Sequence, residues 1–386
     1  MEKGTLSLID KNNSNTFMEI NAQPRLWHKT YSIIKSSRTE LVKFLEGALA
    51  HEDLKIILTG AGTSAYIGEV LNKSFQRKVN RATEAIATTD LISHSSDFLN
   101  RHQPTMLVSF ARSGDSPESL AAVELAENYC DNVFHLIITC NPKGKLVTGT
   151  DLKQSYALMM PKEANDKGLA MTSSFTTMLL AGVLVSDLGN LDQNKKHIDR
   201  LVKYGEKILA DYNKRIYDVA QLNFDRAVFL GSGALKGIAR ESQLKVQELT
   251  DGQVVCKYDS FLGLRHGPKV VIKSSTLVVY IFSDDEFVNK YEYDLVKSIN
   301  SQEEKLYEIG IAQRLKCKNE INMDLSIEVA AKTEKIPEEY FAVCAVLPSQ
   351  LLGMYKSLNL GLTPDSPSIN NTINRVVEGV NIYKQE

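Results

Sequence analysis

Cysteine is scarce in this chain: five residues in 386, at Cys130, Cys140, Cys256, Cys317 and Cys344, with no CxxC pair. An odd number so widely spaced argues against a disulfide framework or a zinc ribbon and fits a reducing cytoplasm. An excess of one charge is missing too, because 45 Lys and Arg mix with 47 Asp and Glu for a net charge of −2. That balance offers no electrostatic footprint for nucleic acid or an acidic membrane. Long apolar runs are absent: the longest, Met178 to Val185, falls far short of a bilayer span. The opening MEKGTLSLIDKNNSN has no apolar stretch of the secretory kind. The seven histidines show neither HxxH nor HExxH spacing, so no metal site is expected, and no Walker A lysine loop is present.

What remains is a globular composition, 43% hydrophobic and 24% charged, in a chain long enough for two domains. The first twenty residues are polar and read as a frayed tail, and Pro24 opens a helical region running to about Ala50. From Leu54 the rhythm changes. LKIILT (54–59), TMLVSF (105–110) and FHLIIT (134–139) read as strands buried on both faces, with helical stretches from Ser64 to Phe75 and from Pro117 to Cys130 between them. Alternating strands and helices predict a mostly parallel α/β sheet with helices on both sides. The turn Gly60-Ala61-Gly62 returns as Gly231-Ser232-Gly233 after 171 residues, and the same offset carries Thr105–Val108 onto Thr276–Val279. A shared offset predicts a duplicated domain, with a helical connector from His197 to Ala220.

Open α/β sheets bind ligands beyond the carboxyl ends of their strands. Two loops of the first half lie there: Gly60-Ala61-Gly62-Thr63-Ser64 and Arg112-Ser113-Gly114-Asp115-Ser116. Ser116 is placed to cap a helix that has Pro117 first and Glu118 in its opening turn. Backbone amides, hydroxyls and a helix dipole together form a neutral cradle for a phosphate, though the same residues also make ordinary turns. In the second half the matching loop reads FSDDE, whose acidic pair would repel a phosphate. Gly60-x-Gly62-x-x-Ala65 also matches a dinucleotide fingerprint, but Glu84 lies inside TEAIATT instead of ending a strand, as a ribose contact requires.

Acid–base candidates lie in the second half. At about 100° per residue, Glu241, Lys245 and Glu248 fall within about 60° of one another beside an apolar stripe. Two carboxylates and an amine so placed can pass protons, and the same spacing also describes an exposed ion-pair ladder. His266, in Gly263-Leu264-Arg265-His266-Gly267-Pro268, has turn-forming neighbours that fix its backbone.

GAGTS, SFARSGDSPES, GSGALKGIARESQLKVQEL and FLGLRHGP resemble the paired sugar-isomerase (SIS) domains of the isomerase half of glucosamine-6-phosphate synthase. With NDKGLAMTSSFTTM and the tail TPDSPSINNTINRVVEGV, the chain is more similar to the bacterial galactosamine-6-phosphate deaminase/isomerase group, formerly called tagatose-6-phosphate ketose/aldose isomerase. The resemblance implies two tandem SIS domains, each flavodoxin-like in three αβα layers, at 51–200 and 215–386 behind an N-terminal segment 1–50. It implies phosphate binding around Gly62, Thr63, Ser64, Ser113, Gly114 and Ser116, with Arg112 and Thr172 near the sugar. Glu248 would move a proton between C2 and C1, supported by Glu241 and Lys245, and His266 would open the ring. The implied activity is hydrolytic release of ammonia from galactosamine 6-phosphate, without cofactor or metal, in a cytoplasmic homodimer or larger oligomer. Plain aldose–ketose isomerisation and sugar-phosphate sensing are the alternatives. Ala111 and Arg112 replace a serine and a glutamine of the synthase, and Glu378 stands where the synthase has a lysine.

Overall fold

The computed structural model describes residues 13–149, 154–302, 304–316, 320–331, 334–370, 372–375 and 379–383. Cys317 and Glu378 lie outside the described residues. Two helices, α1 (Asn15–Ser36) and α2 (Arg38–Leu49), lead into a parallel sheet. Its strands are β1 (Lys55–Thr59), β2 (Ala82–Ala85), β3 (Thr105–Ala111), β4 (Val133–Thr139) and β5 (Ser155–Met159), in the order β2-β1-β3-β4-β5. A second parallel sheet holds β6 (Arg226–Gly231), β7 (Val255–Asp259), β8 (Thr276–Ile281), β9 (Tyr307–Ala312) and β10 (Leu325–Glu328), in the order β10-β9-β8-β6-β7. Counted from its own first strand, each sheet has the same order. Lys55 pairs with Thr105 and Arg226 with Thr276, so both registers follow the 171-residue offset.

Strands with both faces covered alternate between two cores, because successive side chains point to opposite sides. On β3, Met106, Val108 and Phe110 enter one large core while Leu107 enters another. On β8, Leu277, Val279 and Ile281 join that same large core and Val278 and Tyr280 face away. A single apolar core therefore runs between the sheets. It is filled by α3 (Thr63–Val79), α5 (Ser173–Val185), α8 (Ala234–Leu249), α10 (Glu338–Ala345) and α11 (Leu347–Asn359), with α4 (Pro117–Tyr129), α6 (Leu191–Lys207), α7 (Asn213–Ala220) and α9 (Glu286–Asn300) completing the helices named here. All 13 residues of α5 are buried. Glu338–Asn359 is long and apolar enough to cross a membrane, yet 94% of its most apolar window is buried inside the protein.

The N-terminal reading needs correction. Helix α1 starts at Asn15, well before Pro24, and Thr16, Glu19 and Ile20 are buried. Polar residues hide here because they are bonded: Asp365 accepts from the Thr16 amide at 2.8 Å and its hydroxyl at 2.7 Å. Pro24 lies within the helix, and a Cβ on Gly205 of α6 would come 2.4 Å from Trp27 and 3.0 Å from Pro24.

The halves approach closely where α3 meets α8. A Cβ on Gly237 would lie 2.7 Å from Val70 Cγ2 and 3.0 Å from the Val70 amide nitrogen. Gly237→Ala must therefore push the two helices apart. Overpacking of this kind costs about 1–3 kcal/mol, which denaturant unfolding should register, and activity should fall further than the stability loss explains, because the reactive groups straddle this contact.

Candidate active site

In a 2-1-3-4-5 sheet the chain departs from β1 to one side and from β3 to the other, which leaves a crevice at their carboxyl ends. Both hydroxyl-bearing loops open there. Gly62 adopts φ +55°, a conformation that favours glycine, and starts α3 with Thr63. Ser116 caps α4, its hydroxyl accepting from the Ser119 amide at 3.3 Å with Pro117 in the first turn. Gly114, at φ +68°, packs against Gly144. Asn141 Nδ2 donates to the Ser113 carbonyl at 2.8 Å, and Asp115 accepts from the Lys145 amide at 3.0 Å. The β3 loop is thus held from beneath, with Ser113 and Ser116 half-buried at its surface. Two helix N-termini, α3 and α4, flank the crevice and favour an anion.

Across the crevice stands α8. Lys245 is 0% exposed and gives its ammonium to Glu248 at 2.7 Å, Thr63 Oγ1 at 3.1 Å and Glu241 at 3.4 Å. The Thr63 hydroxyl in turn donates to Glu241 Oε1 at 3.4 Å. Two members of the triad are buried, so it is no exposed ion-pair ladder. Burial pulls the Lys245 ammonium down, but Glu241 and Glu248 outweigh it and leave the group above its ordinary value. Burial pushes the Glu241 carboxyl up to about 8, against the pull of Lys245, and its Oε2 has no hydrogen-bond partner among the described residues. One ammonium can neutralise one carboxylate in a water-poor place, and the shorter contact goes to Glu248. Glu241 accordingly keeps its proton near neutral pH. Glu248 retains 23% side-chain exposure, so it is the member a substrate can reach.

Arg112, 7% exposed, donates to the Leu169 carbonyl at 3.0 Å and to the Arg375 carbonyl. Burial and then Arg375 pull its guanidinium below the ordinary value, while Asp166 and Glu248 hold it up. Arg375 returns the tie by donating to the Asp166 carbonyl and to Asn165 Oδ1, both at 2.8 Å. Asp166 accepts from the amides of Thr172, Ser173 and Ser174 at 2.8–3.0 Å, capping α5.

Two sequence assignments change in this light. Thr172 is buried with its hydroxyl donated to Asp166 at 3.1 Å, so it supports the floor and does not present itself to a sugar. The Thr63 hydroxyl faces the acid–base triad and not an open cradle. His266 is exposed, and no hydrogen bond or ion pair joins its ring to the triad. Asn141, Asp166 and Arg375 were missed; only Asn141, directly after a strand, stood where a site loop could have been expected.

In the second sheet the equivalent crevice is filled. Ser283 donates to Glu338 Oε2 at 2.5 Å, Asp285 caps α9, and Asp284 pairs with Lys335 at 2.7 Å. Glu292 lies buried beneath, pushed up to about 7 by burial.

Comparison with known proteins agrees with this architecture. The SIS-domain profile matches residues 48–186. The D-galactosamine-6-phosphate deaminase AgaS of Shewanella sp. (strain ANA-3) is 40% identical over 95% of this chain and 91% of its own length. The chain belongs to the SIS family. Within it, a crystal structure from Clostridium novyi NT superposes with a TM-score of 0.93 at 40% identity, covering 98% of this chain and 97% of that one. The tagatose-6-phosphate ketose/aldose isomerase of Escherichia coli gives a TM-score of 0.87 at 36% identity, covering 97% of each chain.

Glu241 and Glu292 have folded values near 8 and 7 against an ordinary 4.5. A raised carboxyl binds its proton more tightly when folded, so its contribution is complete below pH 4.5 and is lost as pH climbs to 7–8. Unfolding free energy should therefore fall across that window, and Glu292→Gln should flatten the fall. A pH-stability curve unchanged by Glu292→Gln would contradict the assignment.

Proposed function

We propose that this chain converts D-galactosamine 6-phosphate to D-tagatose 6-phosphate and ammonia. The observation that carries the reading is Glu248, a partly exposed carboxylate held by a buried ammonium beside a neutral anion cradle. The deaminase name of the Shewanella relative supports the amino-sugar substrate. The half at 51–200 anchors the substrate and the half at 215–386 carries the chemistry.

The phosphate sits on Ser64, Ser113, Ser116 and the amides around Gly62 and Gly114, supplying binding energy remote from the reacting carbons. In the open-chain aldose, C1 is a carbonyl and C2 carries hydrogen and the amine. Glu248 takes the C2 proton, leaving an enolamine whose C1 oxygen gains a proton. Returning a proton to C1 gives a 2-imino ketose. Water adds to the imine carbon and the C–N bond breaks, releasing ammonia and leaving the ketone. Lys245 holds the Glu248 carboxyl in place through its 2.7 Å contact. Neutral Glu241 is a proton source beside it. Ring opening is assigned to His266; because it stands exposed, it would act on the site of a second copy in a cytoplasmic homo-oligomer.

Aldose–ketose isomerisation of tagatose 6-phosphate shares each step through C1 protonation and differs only in the C2 substituent. The name of the Escherichia coli relative favours this second reading. Incubation with galactosamine 6-phosphate should release ammonium and ketose phosphate in equal amounts. Interconversion of tagatose 6-phosphate without ammonium from any amino-sugar phosphate would transfer the assignment to the isomerase.

Two variants separate anchoring from chemistry. Glu248→Gln should lower C2 proton exchange with solvent by about 10²–10⁴-fold, the usual value of a positioned base, while substrate still binds. Ser113→Ala with Ser116→Ala should raise KM at least about tenfold, since hydrogen bonds to a charged group contribute about 1.5–3 kcal/mol each. Wild-type exchange in the first variant, or unchanged KM in the second, would reject the corresponding role.

A further inference from the structure

We propose that Thr63 is a positioning residue that ties phosphate capture to the acid–base triad, and that its side chain is not itself a phosphate ligand. The inference rests on the reading of Glu248 as the proton-transfer base. Thr63 belongs to two neighbourhoods at once. Its backbone is the first residue of α3 and follows Gly62 in the anion cradle, while its hydroxyl lies between Lys245 and Glu241.

The hydrogen-bond inventory decides between the roles. A threonine hydroxyl has one proton and two lone pairs. The proton is donated to Glu241 Oε1 and one lone pair accepts from Lys245. An ionised phosphate offers acceptors only, so binding it would require that one proton and would strip the buried Glu241 of its bond. Ser64, the next residue, has no such commitment. Its hydroxyl meets the Met171 sulfur at 3.9 Å, a weak contact, and is free to turn toward an anion.

The ammonium side leads to the same conclusion. Lys245 has three N–H groups and three acceptors: Glu248, Thr63 and Glu241. Without the hydroxyl, one N–H is left buried and unpaired, and the ammonium is free to shift toward Glu241. Either change moves Glu248, the group that must meet the C2 hydrogen. A phosphate settling on Gly62 and Ser64 fixes the first turn of α3, and through Thr63 it fixes Lys245. Anchoring the remote end of the substrate thereby sets the base at the reacting end.

Thr63→Val keeps the shape and removes the hydroxyl. It should lower kcat and C2 proton exchange by about 10–100-fold, the scale of a small misplacement of a catalytic group. KM for the sugar phosphate and the affinity for inorganic phosphate should not change. Thr63→Ser should restore both rate measurements. A second readout needs no turnover: in the ligand-free protein, carbon-13 titration of the Glu241 carboxyl should move to higher pH in Thr63→Val, because a hydrogen bond favouring its ionised form is gone. The charged groups facing Glu241 are Lys245 and Glu248 on its own helix and Tyr66 on α3, with Arg112 opposite Lys245 and Glu248. None of them is altered by the substitution. If Thr63→Val instead weakens inorganic phosphate about tenfold or more and leaves kcat intact, Thr63 is a ligand. If neither rate, affinity nor titration moves, Thr63 fills space; either result overturns the proposal. Absence of C2 exchange in the unaltered protein would reject the role of Glu248, and phosphate affinity with the Glu241 titration would still decide that of Thr63.

Discussion

A lysine ammonium sealed from water needs an acceptor for each of its hydrogens, and the site is organised around that demand. Lys245 finds two acceptors on its own helix and a third on α3, from the other half of the chain. The third exists only because α3 and α8 touch where Gly237 has no side chain to hold Val70 away. Packing and electrostatics are here one constraint. Helices that meet more loosely would leave a buried charge short of a partner, which costs several kcal/mol. The absence of a methyl group at position 237 and the full set of acceptors around Lys245 are thus linked.

The same strand order built twice has been put to opposite uses. Gly62 and Gly233 share their backbone angles, φ +55° with ψ −128° and φ +54° with ψ −125°, so the two turns are nearly superposable. What differs is the charge that meets them. Beyond β1 and β3 the loops present hydroxyls and amides. Beyond β6 and β8 the carboxylate of Glu338 already accepts from Ser283, with Glu292 buried below and Asp284 bound to Lys335. An internal carboxyl group occupies the place that would otherwise welcome an external anion. Topology supplies two crevices, and side-chain charge leaves one open.

How much could be read from the sequence follows from the same distinction between local and distant causes. Central strands were legible because burial on both faces makes them continuous apolar runs, as in 105–110 and 134–139. Edge strands were not: β2 is ATEA and β10 is LSIE, four residues each and half polar, too short and too mixed to form an apolar run. The face shared by Glu241, Lys245 and Glu248 followed from helical periodicity, but whether water reached it did not, since that depends on α3. The true start of α1 was hidden because its buried face is polar. Thr16 and Asn15 bond to Asp365, and Gln23 Nε2 donates to Gln350 at 2.6 Å. Partners some 330 to 350 positions away leave no trace in a local pattern. Arg375 was missed for that reason, its side-chain partners lying 209 and 210 positions away, whereas the capping role of Ser116 was evident from its immediate neighbours.

Arg112 shows what the tail adds to this arrangement. Its guanidinium is buried, yet both terminal nitrogens donate to carbonyl oxygens, and among the described residues no carboxylate forms an ion pair with it. Carbonyl dipoles satisfy its hydrogens without cancelling its charge, and Asp166 and Glu248 act on that charge without a direct bond to it. One of those carbonyls belongs to Arg375, whose own side chain grips Asn165 and the Asp166 carbonyl. Two arginines thereby cross-tie the C-terminal segment to the loop that caps α5. A crevice with neutral donors, two helix N-termini and a guanidinium bonded to carbonyls favours an anion, while the neutral Glu241 adds no opposing charge.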